Sequence, residues 1–191
     1  MWKVFLSIYF LFSVHCCATI YAQCNADSII YKLALKANWK DELNMNDKES
    51  RYLTIDYRPE YPYVLGVNLK KWGIDSLVYK KLLQINDTLS IDYHASYLSH
   101  IFQDDPEVII LNKESYKKIK SKNFWKKFWR TYRYSSGQIF VSAIAYDDNC
   151  TEAVFYYEIA SHWLVGGGFF AVCKFENGEW KLKENVGVLQ S

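Results

Sequence analysis

The sequence predicts an α+β domain, with helices packed on one face of a curved antiparallel β-meander that allows a cone-like shape. Three observations lead to this fold class: an apolar helical stripe near the start, an aromatic helical stripe in mid-chain, and a run of strand patterns that ends on Asn177-Gly178. At 191 residues and 50% hydrophobic, the chain can form one core. We therefore expect a single domain over residues 23–191.

Residues 1–22 are predicted to be a signal peptide. Lys3 provides a positive start, the run from Val4 to Val14 is nearly all apolar, and Ala22 stands at a suitable cleavage position. This run is shorter than the roughly 20 residues that a membrane span needs. We expect a secreted or periplasmic protein, and a lipid anchor at Cys24 is the less favoured alternative.

Cleavage would leave three cysteines, Cys24, Cys150 and Cys173. In an oxidising compartment they allow one disulfide, with three pairings open, or none. Cys173 lies in an apolar strand pattern and is predicted to be buried and unreactive. Asn86 and Asn149 begin Asn-x-Thr tripeptides, which matter only if the host glycosylates secreted proteins.

Hydrophobic periodicity places the elements of the first half of the chain. A helix is predicted over residues 28–43, with Ile30, Leu33, Ala34 and Ala37 on its apolar stripe. Strands at 52–57 and 63–69, a short helix at 75–84 and a further strand at 89–93 complete this half.

The second half begins with a strand at 108–111 and a helix at 113–119, for which Asn112 is a suitable N-cap. A helix at 124–132 carries an aromatic stripe with spacing i, i+3, i+4, i+7. This stripe consists of Trp125, Phe128, Trp129 and Tyr132. Strands are predicted at 138–146, 153–160, 168–175 and 180–183.

The Asn177-Gly178 turn fixes a strand register, with Phe175 opposite Trp180 and Cys173 opposite Leu182. The same alternation divides the preceding hairpin into two faces. The first face is predicted to be core beneath the aromatic helix and comprises Val141, Ala143, Ala145, Phe155, Tyr157 and Ile159. The second face is predicted to be open.

The second face provides the candidate ligand-binding residues Ser142, Tyr156, Glu158 and His162. The chain also has 16 tyrosines, more than a core of this size requires, and tyrosine suits contact surfaces. We therefore expect a non-enzymatic binding or interaction protein. Its partner would be a protein or a small ligand, and the oligomeric state stays open.

A second candidate surface is basic, because residues 112–133 contain nine Lys or Arg and one Glu. A cationic aromatic helix at 113–133 could contact a membrane surface or a polyanion. Its candidate residues are Lys117, Lys118, Lys120, Lys126, Lys127 and Arg130. The simpler interpretation is a solvated helix face, and nucleic acid is not an expected partner.

Enzymatic chemistry has weaker support, and we predict no catalytic residues, no metal and no cofactor. Glu158 and His162 are four strand residues apart, about 13 Å, which is too far for a hydrogen bond. Asp92, His94 and His100, with Asp104 and Asp105 nearby, have metal-ligand chemistry without the spacing of a helical zinc site. A hydrolase with an unidentified site remains the second alternative.

Gly166 to Gly168 form the main glycine cluster of the chain. A phosphate-binding glycine loop is followed by a helix, whose N-terminus faces the anion. Here Phe169 and Phe170 continue as a strand pattern. The glycines are therefore predicted to form a hairpin loop that leads into a packed strand.

The last 80 or so residues combine a Trp/Phe-rich helix, a Ser-x-Gly stretch, an Ala-Val-x-Tyr strand, a glycine cluster and an Asn-Gly-x-Trp-Lys hairpin. In this pattern the chain resembles a loose group of uncharacterised secreted proteins and lipoproteins of Bacteroidetes-type bacteria. The matching positions are Trp125, Phe128, Tyr132, Ser135 or Ser136 with Gly137, Ala153, Val154, Tyr156 or Tyr157, Gly166 to Gly168, and Asn177 to Lys181. Arg133 replaces a common proline, and Ala145-Tyr146-Asp147 replaces a common Gly-Phe-Asn. The resemblance implies shared turns and core residues, and no activity.

Overall fold

The computed structural model describes residues 26–41, 52–58, 73–162 and 165–190. The predicted signal peptide and the predicted strand at 63–69 lie outside these residues. No helix in the described ranges is long and apolar enough to span a membrane.

The described chain has five helices and seven strands. The helices are α1 (Asp27–Asp41), α2 (Ser76–Thr88), α3 (Ile91–Ile101), α4 (Lys113–Ile119) and α5 (Phe124–Thr131). The strands are β1 (Tyr52–Asp56), β2 (Val108–Leu111), β3 (Ser135–Val141), β4 (Ala145–Tyr146), β5 (Glu152–His162), β6 (Val165–Glu176) and β7 (Glu179–Gln190). The α+β prediction is confirmed.

All seven strands belong to one mixed sheet, in the order β2-β1-β3-β5-β6-β7, with β4 also paired to β5. Strand β1 runs parallel to both β2 and β3, whereas β3 to β7 pair antiparallel. The predicted meander therefore describes only the later strands. Among the described strands, the sheet ends at β2 and β7 and is not closed, so the cone-like shape is not confirmed.

Helices cover both faces of this sheet, contrary to the prediction of one covered face. On the first face, Tyr31 of α1 and Leu98 of α3 belong to one buried cluster with Phe155 and Tyr157 of β5. On the second face, helix α2 packs against the neighbouring residues of β5, which point the opposite way. The members of this second cluster include Val78, Leu82, Val154, Tyr156, Phe170 and Val172.

The aromatic helix α5 does not cover the first face, and that prediction was wrong. Trp125 and Phe128 form a third buried cluster with Leu111 and Ile119. Ala160 of β5 packs against this cluster. Ala160 and Tyr156 are an even number of strand residues apart, so their side chains point to the same face of the sheet, the second face. The aromatic helix therefore lies on the second face, because α1 and α3 already occupy the first.

An irregularity between β3 and β4 changes which residues share a face. Val141 pairs with Tyr157, but Ala145 pairs with Val154, so the β3–β4 side contains one extra residue. A one-residue shift turns the following side chains to the other face. Ala145 is consequently buried in the second-face cluster, not on the first face as predicted.

The strand predicted at 89–93 is instead the start of helix α3. Ser90 is its N-cap, and the Ser90 hydroxyl accepts a hydrogen bond from the Tyr93 backbone N–H at 3.2 Å. His94 and Leu98, one helical turn apart, are both buried. The strand pattern around residue 91 was therefore overridden by a helix cap and by the burial of two side chains one helical turn apart.

Two local predictions are confirmed in detail. Asn112 caps α4, and its side chain accepts a hydrogen bond from the Ser115 backbone N–H at 2.9 Å. At the β6–β7 hairpin, Asn177 and Gly178 both have positive φ, and Phe175 pairs with Trp180. Both features depend on neighbouring residues alone.

The glycine cluster lies within strand β6, so the predicted hairpin loop at these residues was wrong. Gly168 is required there by a close approach, since a Cβ at this position would lie 2.3 Å from the Tyr156 phenol oxygen. Tyr156 itself is buried and packs against Phe170. The missing side chain at position 168 therefore makes room for a buried tyrosine.

Replacing Gly168 by alanine should destabilise the protein by about 1–3 kcal/mol, because the new methyl group overlaps the buried phenol. Chemical denaturation measures this change. Gly187→Ala is the matched control in the next strand, where a Cβ would make an ordinary 3.6 Å contact with the Phe169 ring.

Adding Tyr156→Phe to the Gly168→Ala protein should restore part of the lost stability, because it removes the clashing hydroxyl. Equal stabilities for the Gly168→Ala and Gly187→Ala proteins would contradict the close approach.

His94 is fully buried, and its ring lies beside the backbone of Val141. Burial lowers the pKa of His94 from 6.5 to about 4, and the interaction with the Val141 backbone offsets only part of this shift. The unfolded chain therefore binds a proton that the folded chain excludes, and stability is lost as the pH falls below 6.5. Between pH 7.5 and 4.5 this loss should be about 2.5 kcal/mol.

The test is the difference between the wild type and His94→Leu in urea unfolding at these two pH values. Asp27 acts in the opposite direction, because burial raises its pKa to about 6, but it contributes equally to both proteins. His100→Gln, at an exposed position of the same helix, should follow the wild type. An equal acid loss in the His94→Leu protein would refute the prediction.

Candidate functional site

The predicted open face is closed at two of its four residues. Ser142 and Tyr156 are buried, because α2 covers this part of the second face. The Ser142 hydroxyl accepts a hydrogen bond from the Tyr156 backbone N–H at 2.8 Å, which ties two strands together. The prediction of an open surface was therefore wrong at Ser142 and Tyr156.

The other two predicted residues remain accessible but lie apart. Glu158 is half-buried in the middle of the second face. His162 is exposed at the end of β5, where its ring stacks on Trp125 with the centroids 6.4 Å apart. Glu158 thus belongs to the centre of the sheet, and His162 borders the aromatic helix.

Around Glu158 lies a polar area that we call the central strip, formed by Arg58, Phe140 and Glu158. Phe140 and Glu158 are direct partners across β3 and β5. The Arg58 guanidinium lies 5.4 Å from the centre of the Phe140 ring. By strand order, Phe140 on β3 lies between Arg58, which follows β1, and Glu158 on β5, in the gap between the area under α2 and the area under α5.

Arg58 is held in place by a buried carboxylate. The backbone N–H, Nε and Nη2 of Arg58 each donate to Asp56 at 2.9 Å, and Gln138 also donates to Asp56. Tyr116 stacks on the guanidinium at 4.2 Å. Burial lowers the pKa of Arg58, but the hydrogen bonds and charge of Asp56 outweigh it and raise this pKa above its ordinary value.

Sequence reasoning identified Glu158 and missed Arg58 and Phe140. The pattern that could have identified Arg58 is Asp56-Tyr57-Arg58 at the end of a strand. Residues two apart share a strand face, so the opposite charges of Asp56 and Arg58 can meet. Phe140 had no such pattern. Its role depends on the register between β3 and β5, which long-range pairing decides.

The basic residues of the predicted cationic segment cover α4, α5 and the flanking turns. We call them the basic surface, and all are exposed or half-exposed: Lys113, Lys117, Lys118, Lys120, Lys122, Lys126, Lys127, Arg130 and Arg133. Within the described ranges, none of them forms an ion pair. The six described ion pairs all use Lys or Arg residues elsewhere in the chain.

The aromatic side chains of α5 are buried or half-buried. Trp125 and Phe128 are buried, and the Trp129 indole N–H donates to the Ser161 carbonyl at 3.3 Å. We expected a membrane-surface or polyanion binder to expose the face from Trp125 to Trp129, and this face is largely buried. These contacts argue against insertion of that face into a bilayer, whereas the lysine and arginine side chains of the segment remain accessible.

A surface cleft of about 280 Å³ lies at another part of the sheet, and acidic side chains dominate its lining. The lining residues are Asp75, Asp147, Thr151, Glu152, Lys174, Phe175 and Glu176. Most of the carboxylates already have structural partners: Asp75 caps α2, Asp147 accepts backbone N–H groups of its turn, and Glu176 pairs with Lys183. This cleft contains none of the predicted site residues.

The residues considered for metal or nucleophilic chemistry do not converge. His94 is buried, whereas Asp92 and His100 are exposed on the same helix, and the described residues include no metal-ligating cluster of three or more side chains. Cys173 is buried, and burial raises the pKa of its thiol to about 12. Its prediction as a buried thiol is confirmed.

Two of the accessible charged areas contain residues that the sequence analysis singled out, the basic surface and the central strip. Comparison of the chain with known protein families, with curated proteins and with solved structures gives no match.

Proposed function

We propose that this is a secreted or periplasmic, non-enzymatic binding protein that contacts an anionic polysaccharide through the basic surface. The observation that carries the proposal is the nine exposed or half-exposed cations of residues 113–133, which form no ion pair in the described part of the chain. Clustered cations that form no ion pairs create a positive potential that attracts polyanions.

The distribution of charge supports this choice of surface. The whole chain has a formal net charge of only +2, yet residues 112–133 contain nine Lys or Arg and one Glu. Elsewhere, lysines such as Lys81 and Lys174 pair with nearby carboxylates. The positive charge is thus concentrated on one pair of short helices and their flanking turns, and this segment contains a single Glu.

A soluble polymer fits this surface better than a bilayer. Helices that lie on membranes insert apolar side chains between the lipids. In α5, Trp125 and Phe128 are already used to pack against Leu111 and Ile119. The surface offers charge without apolar groups for insertion, which suits a hydrated polyanion.

The cysteine arrangement supports the proposed location. Cys150 is disulfide-bonded, whereas Cys173 is free and buried. Disulfides persist in oxidising compartments such as the periplasm and the extracellular space. The disulfide at Cys150 is therefore consistent with export of the chain, as the predicted signal peptide implies.

The proposal is tested by titrating the purified protein with heparin and with a polyuronate across a range of salt concentrations. Binding should weaken steeply as salt rises. Lys117→Gln/Lys118→Gln should lower the affinity about tenfold at low salt and reduce the slope of log affinity against log salt by about one per lysine removed.

The matched control is Lys80→Gln/Lys181→Gln, which removes the same charge from exposed positions outside the basic surface. It should keep nearly all of the affinity. Equal losses in the two double variants would show that only net charge matters, and no salt-dependent binding by the wild type would exclude the proposal. Preference for DNA over both polysaccharides would reject the proposed ligand class.

A further inference from the structure

The central strip differs from the basic surface because it presents one cation and one anion. Arg58 and Glu158 lie on either side of Phe140, yet the described ion pairs include Arg58 with Asp56 and none with Glu158. Each charge is instead held by groups beneath or beside it. This arrangement leaves two complementary charges available to one small ligand.

The cationic side of the strip is rigid and only partly shielded. Asp56, which is fully buried, fixes one edge of the Arg58 guanidinium, and Tyr116 covers one of its faces. The Arg58 side chain is nevertheless 36% exposed. A guanidinium has five N–H donors, so donors remain for a second carboxylate.

The anionic side is held just as specifically. The Tyr156 phenol donates to Glu158 at 2.5 Å, and this phenol fits only because Gly168 has no side chain. Glu158 is half-buried and has no ion pair with another described residue. Its carboxylate is therefore oriented and partly desolvated without being neutralised, which favours a cationic ligand group.

We propose that the central strip binds a small zwitterion, such as a free α-amino acid or a short peptide. Arg58 receives the carboxylate of the ligand, Glu158 receives its ammonium group, and the Phe140 ring contacts the atoms between them. A polyanion is disfavoured at this position because Glu158 repels it. The inference is thus independent of the proposed contact between the basic surface and a polysaccharide.

The experiment is a calorimetric titration of residues 23–191, the chain without its predicted signal peptide, with alanine, phenylalanine and the dipeptide Ala-Ala. The N-acetylated and C-amidated forms of the dipeptide serve as matched probes that each lack one charge. We expect at least one of the three zwitterions to bind saturably. If Ala-Ala binds, both of its blocked forms should bind at least tenfold more weakly.

Two variants identify the residues. Glu158→Gln keeps a hydrogen-bond acceptor for Tyr156 but removes the charge, so it should weaken binding of the zwitterion at least tenfold. It should not weaken the binding of the N-acetylated dipeptide, because that probe has no ammonium group and its carboxylate is no longer repelled by Glu158. Arg58→Lys should also weaken binding of the zwitterion, because lysine cannot donate two parallel hydrogen bonds to a carboxylate as arginine does.

Glu184→Gln is the control for Glu158→Gln, since it removes the same charge from an exposed position in β7. Thermal unfolding of each variant establishes that it is folded. Absence of saturable binding by every zwitterion would overturn the inference, as would an affinity that Glu158→Gln leaves unchanged. Zwitterion binding should also survive Lys117→Gln/Lys118→Gln, so this inference and the proposed function can each fail without the other.

Discussion

Strand β5 is buried on both of its faces, and the rest of the structure depends on this constraint. Phe155 and Tyr157 point to one side, while Val154 and Tyr156 point to the other, and all four are essentially inaccessible. A strand of this kind is stable only when apolar cover is supplied on both sides. Helices α1 and α3 provide it on the first face, and α2 and α5 provide it on the second.

The second face is covered in two separate areas, and this separation produces the candidate site. Helix α2 packs near Val154 and Tyr156, and α5 packs near Ala160, which leaves Glu158 between them. Polar groups in such a gap need partners or water. Tyr156 supplies one for Glu158, and Asp56 supplies one for Arg58.

The charged residues considered above also lie in two separate areas, the basic surface and the central strip. The basic surface lies on α4 and α5, whose apolar sides are used in the third cluster, so that mostly charged side chains face solvent. The central strip lies next to these helices, because Tyr116 of α4 stacks on Arg58. A polyanion and a small zwitterion would therefore bind to adjacent but chemically distinct parts of one face.

The sequence by itself determined the features that depend on neighbouring residues. These are the Asn112 cap of α4, the aromatic stripe of α5 and the register of the Asn177-Gly178 hairpin, because caps, stripes and tight turns are set within a few residues. Only the tertiary structure decided which face each helix covers and therefore which polar residues stay accessible. Tyr31, for example, donates to the carbonyl of Ser142, 111 residues away, and so helps α1 to occupy the face that the sequence assigned to α5. Such contacts depend on competition between distant segments for the same apolar surface, which local patterns do not encode.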